Sequence, residues 1–554
     1  MTEHKHIGKI VGALMAAAVA FCLIVTLFAD RFVAVSGSSA ATMEYKSTLF
    51  DTSEIMTVNI IMDEDQWQEL LDNAISEKYY ACDVEINGET ISNVGIRTKG
   101  NTSLSSIAND PDTDRYSFKI KFDKYVDGQT CMGLDKLVLN NNFADATNRK
   151  EALVYDMFQY LGADASLYHY AKISVNGEYW GTYLALEAVE DSFKIRNYGV
   201  SDGKLYKPET MGMGKDQKED GINSDMSDRN VDTDADTNAD TNVDSNTNTF
   251  GGEEGDLAKD NNPMDRPERP RGDFDQANMD EKFKDPQGDP GDFGGFDNRN
   301  GGADLNYSDD DTDSYSTIWD GADGKVTDSD KERVVNAIKN INEGTDLTAY
   351  LDIDNILKYM AVHEFVVNLD SLSGNMAHNY YLYENDGQLN IIPWDYNLSF
   401  GGMMNGGMGG SPGRESTESS EATSMINDPI DTPFDGTDFF DALLENEEYL
   451  AQYHGYLRQL AEEYVQGGRL QEVWERLDAQ TDELIETDPT AFYTAAEYEE
   501  AKKTLWTVLQ LRAESVLGQL DGTIPSTDDG QQNAQDTLID GSAIDLSVMG
   551  EFNH

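Results

Sequence analysis

Hydrophobic and polar residues alternate along several stretches between positions 46 and 207, and this period of two predicts β-strands. In RYSFKIKFDKY the aromatic and aliphatic side chains fall on one face, whereas Lys119 and Lys121 fall on the other. NNFADATNRKEALVYDMFQYLG instead predicts a helix that carries Glu151 and ends at Gly162. This mixture of strands and helices indicates an α+β fold.

Asparagine–glycine pairs interrupt the strand-like stretches and predict tight hairpin turns, since both residues tolerate the left-handed backbone of such turns. One pair is Asn87-Gly88 within YYACDVEINGETISNVGIRTKG, and another is Asn176-Gly177 within YAKISVNGEYWGTYLALEAV. The predicted order over residues 46–207 is therefore a hairpin, a lysine-bearing strand, a helix and a second hairpin.

The later part of the chain, residues 305–522, is predicted to be mainly helical. SDKERVVNAIKNIN and DIDNILKYMAVHEFVVNL have helical patterns, and the second leads directly to Asp370. Two apolar runs follow, YYLY and LNIIPW, which are joined by an Asp-Gly turn and predict a hairpin. Asp395 stands where the second run ends, so two acidic residues flank one short hairpin.

Other segments lack this periodicity. Residues 208–304 consist largely of Asp, Asn, Gly and Pro, and such a composition buries too little apolar surface to offset its ordering entropy. We interpret them as a disordered acidic insertion, in which no stretch matches an EF-hand calcium loop. Residues 523–554 are interpreted as an acidic, poorly ordered tail, and residues 31–45 as a linker.

The N-terminal segment, residues 1–30, has the pattern of a membrane signal. Lys5 and Lys9 precede an uncharged run over residues 10–29, which is long enough to span a bilayer, and Asp30 follows it. Basic residues on one side only predict a cytoplasmic N-terminus, a single membrane-spanning helix and an extracytoplasmic remainder. A cleaved signal peptide is the alternative, because SGSSAAT offers small residues downstream.

The charge of the chain narrows its partners. Lys and Arg number 41 against 104 Asp and Glu, and the resulting net charge of −63 predicts that nucleic acid is not a partner. A basic protein substrate or divalent cations suit this charge better. Cys82 and Cys131 are able to pair outside the cell, but no Cys/His cluster has zinc spacing.

The residues around the predicted C-terminal hairpin have an order that protein kinases use. Those enzymes place a catalytic Asp, an Asn five residues later for Mg²⁺, a short hairpin and then a metal-holding Asp. Asp370, Asn375 and Asp395 have this order, and Asn379 is an alternative metal ligand at the start of the first strand. The structural alternative is that these are ordinary turn residues, which Asp and Asn commonly are.

The N-terminal half follows the element order of a kinase small lobe. The turn over residues 95–106 would then cover the ATP phosphates, and Lys119 or Lys121 would contact them. Glu151 on the helix would steady that lysine through an ion pair, and the later hairpin would lead through Glu187 into the hinge. A solvated strand face is the structural alternative for either lysine.

Several motifs together resemble the CotH kinase family, whose members are atypical kinases of spore coats and surfaces. They recur in family order over about residues 55–460 and are GIRTKGNTS, YSFKIKFDKY, ISVNGEYWGTYLALEAV, GKLYKPE, DSLSGNMAHNYYLYENDGQLNIIPWDYNLSFG and INDPIDTP. By this resemblance Asp370 would be the catalytic Asp and Asp395 the metal-binding Asp. An Asp-Tyr-Asn sequence at 395–397 replaces the Asp-Phe-Gly of ordinary kinases, and Lys207 is a further candidate site residue.

The resemblance implies an atypical two-lobed, kinase-like fold and a protein serine kinase that depends on ATP and on Mg²⁺ or Mn²⁺. The acceptor would be Ser, or Thr, of a secreted, coat or surface protein, and the acidity of the chain favours a basic, Ser-rich one. A non-catalytic, surface-displayed adhesion or scaffold protein with this fold is the alternative, because an exported kinase needs ATP outside the cytoplasm. The presence of both Asp370 and Asp395 favours the enzyme.

Overall fold

The computed structural model describes residues 43–210, 301–374, 377–403, 418–432, 434 and 436–550. All of them belong to one compact unit. Most of the predicted insertion 208–304 lies outside the described residues. The described elements combine helices with sheets and confirm the predicted α+β class.

Strands of the N-terminal half form a closed barrel of seven members: β1 (Met56–Ile61), β2 (Tyr80–Ile86), β3 (Glu89–Lys99), β4 (Ser117–Lys121), β5 (Lys136–Asn140), β6 (Tyr168–Val175) and β7 (Glu178–Glu187). Their order around the barrel is β1-β2-β3-β4-β5-β7-β6. Neighbours pair antiparallel except β1 and β6, whose parallel pairing sets Met56 opposite Ala171 and closes the barrel. The sequence pattern predicts the hairpins but not this closure.

The predicted turns and strand faces are confirmed. Asn87 and Gly88 have φ values of 49° and 85°, and the Asn-Gly pair between β6 and β7 has the same left-handed conformation. On β4, Phe118 and Ile120 are fully buried inside the barrel, because the apolar face of an alternating strand turns to the core. Lys119 belongs to the opposite, outer face.

Helices accompany the barrel and build the rest of the unit. Those of the N-terminal half are α1 (Glu44–Thr48), α2 (Glu64–Asp72), α3 (Thr102–Asn109), α4 (Lys150–Leu161) and α5 (Asp191–Tyr198). Those of the C-terminal half are α6 (Ser316–Asp320), α7 (Asp328–Asn342), α8 (Leu347–Tyr350), α9 (Ile353–Val366), α10 (Glu418–Ile426), α11 (Asp441–Leu444), α12 (Glu447–Arg458), α13 (Arg469–Glu486), α14 (Ala495–Leu520) and α15 (Asp528–Asn533). A π-helical turn, Gln459–Gln466, continues α12.

A small antiparallel sheet lies beside the C-terminal helices and carries the predicted hairpin. Its strands are β8 (Lys204–Tyr206), β9 (Tyr380–Asn385) and β10 (Gln388–Pro393), with β9 in the middle. The β9–β10 turn at Asp386 and Gly387 has φ values of 51° and 86°, as an Asp-Gly hairpin requires. Tyr380 lies opposite Pro393, so the start of β9 and the end of β10 meet.

Two hydrophobic clusters hold this unit together. One fills the barrel interior, and the other joins outer-face barrel residues such as Val138 and Leu186 to the C-terminal helices. Helix α4 lies within the second cluster and packs against α9, and its Glu151 lies near enough to Asp395, after β10, for the charge of Asp395 to act on it. The barrel and the helical part are thereby joined through α4.

The C-terminal end of the chain differs from the poorly ordered tail predicted over 523–554. Residues up to 550 are described, and Leu546 and Met549 are buried in the second cluster. The backbone N–H of Ala146 donates to the carbonyl of Met549 at 3.1 Å, so the tail returns to the N-terminal half. Isolated apolar contacts within an acidic segment leave no local periodicity from which to predict them.

Two further expectations concern the membrane and the cysteines. Among the helices of the described ranges, none is long and apolar enough to cross a membrane, and the predicted span at 10–29 lies outside those ranges. Cys82 and Cys131 are both free and buried, so the pairing that the sequence allows is not made. Burial raises the pKa of each thiol to about 12.

A buried histidine makes the stability of the fold depend on pH. Burial within α9 lowers the pKa of His363 to about 3, whereas a His in the unfolded chain titrates near 6.5. Below that pH the unfolded state binds a proton that the folded state excludes. We therefore expect the free energy of unfolding to decrease by up to about 1.4 kcal/mol per pH unit from this group as the pH falls below 6.5.

Urea unfolding of the parent and of His363→Gln, at about pH 7 and about pH 5, measures this contribution. The loss of stability between the two pH values should be smaller in the variant, because Gln does not titrate. An equal loss in both proteins would contradict the neutral state of the buried ring.

Candidate active site

The two predicted carboxylates lie at the same end of the β9–β10 hairpin. Asp370 is in the loop that follows α9, and Asp395 comes two residues after the end of β10. Burial raises the pKa of Asp370, and the nearby negative charge of Asp395 adds to the rise. The structure therefore brings the two acidic residues together, as the sequence predicts.

The backbone around both carboxylates is strained. Asp395 has a φ of 61°, and Val367, Ala377, Asn379 and Phe400 also have positive φ values, from 46° to 58°. Left-handed backbone is uncommon for residues other than glycine and is least favourable for a β-branched one such as valine. Because such strain concentrates at functional sites, it marks this end of the hairpin as a candidate site.

Asp370 is oriented by two neighbours in the chain. His378 Nε2 lies 2.5 Å from Oδ1 of Asp370, and the side-chain amide of Asn379 donates to Oδ2 at 3.0 Å and to the backbone oxygen at 2.9 Å. Burial of the His378 ring opposes its protonation, but the hydrogen bond and charge of Asp370 outweigh burial and raise the pKa of His378. Each oxygen of Asp370 keeps a further lone pair, so the carboxylate is fixed and still able to accept a proton.

Of the two predicted metal-binding asparagines, the structure describes only one. Asn375 lies outside the described residues. The amide nitrogen of Asn379 is used on Asp370, which leaves its Oδ1 as the atom for a metal. Within the described part of the chain, no group of three or more His, Cys, Asp and Glu side chains is arranged to hold a metal. Mg²⁺ does not need one, since it commonly uses one or two carboxylates together with phosphates and water.

Lys99, at the end of β3, supplies a cation at this site. Its Nζ donates to Oδ1 of Asn140 at 2.8 Å, and Nδ2 of Asn140 donates to Oε2 of Glu151 at 2.9 Å. The ammonium also lies 5.8 Å from the centre of the Trp394 ring. Burial lowers the pKa of Lys99, and the charges of Asp395 and Glu151 oppose that effect. These residues form one polar cluster, which we call the Lys99 cluster.

Glu151 is a predicted site residue that the structure places in the Lys99 cluster. Burial, and then the charge of Asp395, raise the pKa of Glu151 to about 8. Its Oε1 is buried without a side-chain partner among the described residues. A metal ion nearby, or a direct contact with Lys99, would stabilise the ionised form of this carboxylate. The residues present therefore fit a divalent ion beside Asp395.

Further cations lie on the outer face of the barrel near Lys99. Arg97 on β3 is opposite Lys119 on β4, and the charges of Arg97 and Lys136 add to burial in lowering the pKa of Lys119 to about 7. The charge of Lys207 acts on both Lys99 and Lys119. Arg97, Lys136 and Lys207 each pair with a glutamate, at 2.8, 2.5 and 2.5 Å, so the positive charge that indicates a site for an anion is chiefly that of Lys99 and Lys119.

Two predicted site residues lie apart from the Lys99 cluster. Lys121, farther along β4, lies 3.7 Å from the carboxylate of Asp123. Glu187, at the end of β7, is fully buried, pairs with Arg196 at 2.6 Å and accepts from the Tyr45 hydroxyl at 2.5 Å. Because these contacts hold the carboxylate of Glu187 in the core, we assign it no contact with a cofactor.

Sequence reasoning does not identify Lys99, Asn140 or His378. Lys99 lies in GIRTKGNTS, within the turn over residues 95–106 that is predicted to cover the ATP phosphates. The sequence does not single it out from the other residues of that turn. Alternation places Lys99 on the same outer face as Lys119, and only the pairing of β3 with β4 distinguishes them. His378 precedes Asn379 in a loop whose conformation has no periodic signal.

A comparison with known protein families identifies the family of this chain. The CotH kinase protein family matches residues 96–254 and 270–516. The chain belongs to this family. The matched CotH kinase ranges contain the Lys99 cluster and Asp370, and they confirm the resemblance drawn from the sequence motifs. No curated protein matched the chain.

Proposed function

We propose that this CotH kinase family member transfers the γ-phosphate of ATP to Ser, or Thr, of a protein acceptor, with the help of Mg²⁺ or Mn²⁺. A kinase needs cations for the phosphates, a carboxylate for the metal and another for the acceptor hydroxyl. The observation that carries the proposal is electrostatic: the charge of Asp395 acts on Asp370, Lys99 and Glu151 alike. These groups therefore share one site.

The architecture supports an atypical two-lobed kinase. In this proposal the β1–β7 barrel and α4 correspond to the small lobe, and the helices from α6 onwards, with the small sheet, correspond to the large lobe. Helix α4 carries Glu151 towards the lysine of β3, and the two aspartates flank the β9–β10 hairpin in sequence. The phosphate contact, the metal site and the catalytic carboxylate each then have a residue where the proposed small and large lobes meet.

Lys99 is our candidate for the main phosphate contact, in place of Lys121. Lys119 and Lys207 would add positive charge along the same face, since the charge of Lys207 acts on Lys99 and on Lys119. An anion placed among them would favour the protonated form of Lys119, whose pKa lies near 7 without one. ATP binding would therefore be accompanied by proton uptake at neutral pH.

Asp395 and Oδ1 of Asn379 are the groups that would hold the divalent ion. When bound, such an ion neutralises charge on the transferred phosphoryl group and on the leaving ADP. Glu151, whose Oε1 has no side-chain partner in the described residues, has a pKa of about 8, and a bound cation would lower that pKa so that its carboxylate adds negative charge on the same side. Lys99 balances this charge through Asn140.

Asp370 would act on the acceptor. The bond between the Ser oxygen and the γ-phosphorus forms, the bond from that phosphorus to ADP breaks, and the hydroxyl proton passes to the carboxylate of Asp370. His378 and Asn379 hold this carboxylate from two sides, which limits its rotation and keeps it aimed at the acceptor.

The acceptor and the location follow from charge and from the N-terminal pattern. A net charge of −63 favours a basic, Ser-rich protein of a coat, surface or secreted layer, which the field of the enzyme would attract. The uncharged run over residues 10–29 would anchor the chain in the cell membrane with its kinase part outside the cytoplasm.

Transfer of label from γ-labelled ATP tests the proposal. The purified protein is incubated with Mg²⁺ or Mn²⁺ and with a Ser/Lys/Arg-rich peptide, its Ser→Ala counterpart and an acidic Ser peptide of equal length. We expect labelling of the basic Ser peptide alone, roughly tenfold or more above the acidic one at low salt, and loss of labelling with a chelator. If the protein neither binds Mg-ATP nor labels any acceptor, the non-catalytic scaffold takes the place of the kinase.

A further inference from the structure

His363 lies on α9 and is buried in the core. Only 2% of it is exposed, and the rings of Tyr359 and Phe434 stack on it with centroids 5.4 Å away in each case. No charged group contributes to its low pKa, so the imidazole is neutral at ordinary pH. Such a ring has one donor and one acceptor, and both are used.

The hydrogen bonds of His363 have a defined direction. Ser373 Oγ lies 3.1 Å from the backbone oxygen of Asn368, and because a carbonyl oxygen only accepts, the Ser373 hydroxyl is the donor there. Its single proton is thereby used, so the 2.6 Å contact between Ser373 and His363 has Nε2–H as donor. Nδ1 of His363 then accepts from the hydroxyl of Tyr396 at 3.1 Å.

The two ends of this chain of hydrogen bonds lie in different loops. Asn368 and Ser373 flank Asp370, whereas Tyr396 directly follows Asp395. The Tyr396 ring is fully buried and packs edge-on against two rings of α4, the helix that carries Glu151, with centroid distances of 6.4 Å and 5.5 Å. His363 thus joins the loop of one carboxylate to the loop of the other.

We propose that His363 is a positioning residue, which couples the Asp370 loop to the Asp395 loop so that both carboxylates are placed for one reaction. This inference rests on the proposed kinase function. Any buried histidine needs partners for both ring nitrogens, and an apolar ring would fill the same space without that requirement. Here each polar atom of His363 meets a different one of the two strained loops.

Conservative variants separate the two halves of the chain of hydrogen bonds. His363→Gln places an amide nitrogen near the position of Nε2 and keeps the bond to Ser373, so it should behave like Tyr396→Phe. His363→Asn places an amide oxygen near the position of Nδ1 and keeps the bond from Tyr396, so it should behave like Ser373→Ala. Tyr453→Phe is the control, because it removes a buried hydroxyl bond, to Ile430 at 3.0 Å, elsewhere in the core.

Two kinetic measurements report on the two loops. Tyr396→Phe and His363→Gln should raise the Mg²⁺ concentration for half-maximal transfer about fivefold, the effect of one buried hydrogen bond, with a smaller change in kcat. Ser373→Ala and His363→Asn should lower kcat by a similar factor and leave the Mg²⁺ requirement near that of the parent. If all four variants match the control in melting temperature, kcat and Mg²⁺ requirement, the positioning role is wrong.

Amide hydrogen exchange measures the coupling between the two loops and does not require ATP. It therefore tests the role of His363 even if the parent transfers no phosphate and the kinase proposal fails. Tyr396→Phe should speed exchange in residues 368–374, and Ser373→Ala should speed it in residues 395–400, at least severalfold over the control. Faster exchange confined to the loop that carries each substitution would show that His363 does not couple the loops, whatever the activity.

Discussion

Asp370→Asn is expected to slow phosphate transfer roughly a hundredfold or more, the scale on which loss of a general base acts, while Mg-ATP binding stays near that of the parent. The amide has the shape of the carboxylate but does not accept the proton of the acceptor hydroxyl. Because Asp370 is held by His378 and Asn379 rather than by the cations around Lys99, its replacement leaves the proposed phosphate contacts in place. Initial rates at saturating ATP and calorimetric titration of Mg-ATP measure the two effects separately.

Asp395→Asn is the matched comparison, since it removes the same charge from the neighbouring carboxylate. It should weaken Mg²⁺-dependent ATP binding as well as turnover, because Asp395 is assigned to the metal. Loss of an ordinary turn or cap residue would instead cost about 0.5–2 kcal/mol of stability with no selective effect on ATP, and a thermal melt detects that. Two variants that bind Mg-ATP and transfer phosphate like the parent would contradict both assigned roles.

The pair of aspartates was predictable because its geometry is local. The β9–β10 hairpin is closed by an Asp-Gly turn, and antiparallel pairing returns the chain to its starting point. The start of the first strand and the end of the second must therefore meet, which brings Asn379 close to Asp395. Asp370 lies earlier, in the loop after α9, and the hydrogen bonds from His378 and Asn379 hold it at the same end.

The lysine was harder to predict, because its position depends on register. Lys99, Lys119 and Lys121 all belong to the outer face of the barrel by simple alternation. The β3–β4 pairing places Lys99 opposite Ser117, and Lys99 bonds Asn140, the last residue of β5. Nothing in the sequence of either strand sets that register, since it depends on pairing across the long α3 connection.

Long-range pairing also explains the other differences. Closure of the barrel joins β1 to β6, and the tail reaches Ala146 from Met549, in each case between residues far apart in the chain. Local patterns indicate which face of an element is buried, but they do not identify its partner. An acidic segment with a few buried apolar residues therefore looks like a disordered tail until its partner is known.

Net charge and local charge lead to different conclusions for this protein. A net charge of −63 would repel ATP at long range, yet burial and the charges of Arg97 and Lys207 lower the pKa of both Lys99 and Lys119. Salt screens charges beyond roughly 8 Å under physiological conditions, so an anion inside the site is governed by its nearest groups. Acidity can thus favour a basic acceptor outside the site while a tetra-anionic nucleotide binds within it.

Lys99→Met tests this local cation directly. The apolar side chain has a similar length but no charge, and we expect it to weaken Mg-ATP binding roughly tenfold to a hundredfold, the scale of a hydrogen bond to a charged group. Turnover should fall as well, because the same lysine faces the charge that develops on the phosphates. Calorimetric titration of Mg-ATP, together with initial rates over a range of ATP concentrations, measures both losses.

Lys121→Met is the matched control, because it removes the same charge from the same outer face, where Lys121 pairs with the partly exposed Asp123. It should bind Mg-ATP within about twofold of the parent, as most surface charges do. Burial disfavours the charged form of Lys99 whereas the charges of Asp395 and Glu151 favour it, so Lys99→Met should melt near the temperature of the parent, and lost binding would not be explained by unfolding. If Lys121→Met weakens Mg-ATP binding more than Lys99→Met does, the main phosphate contact is Lys121 on β4, and the assignment of Lys99 is wrong.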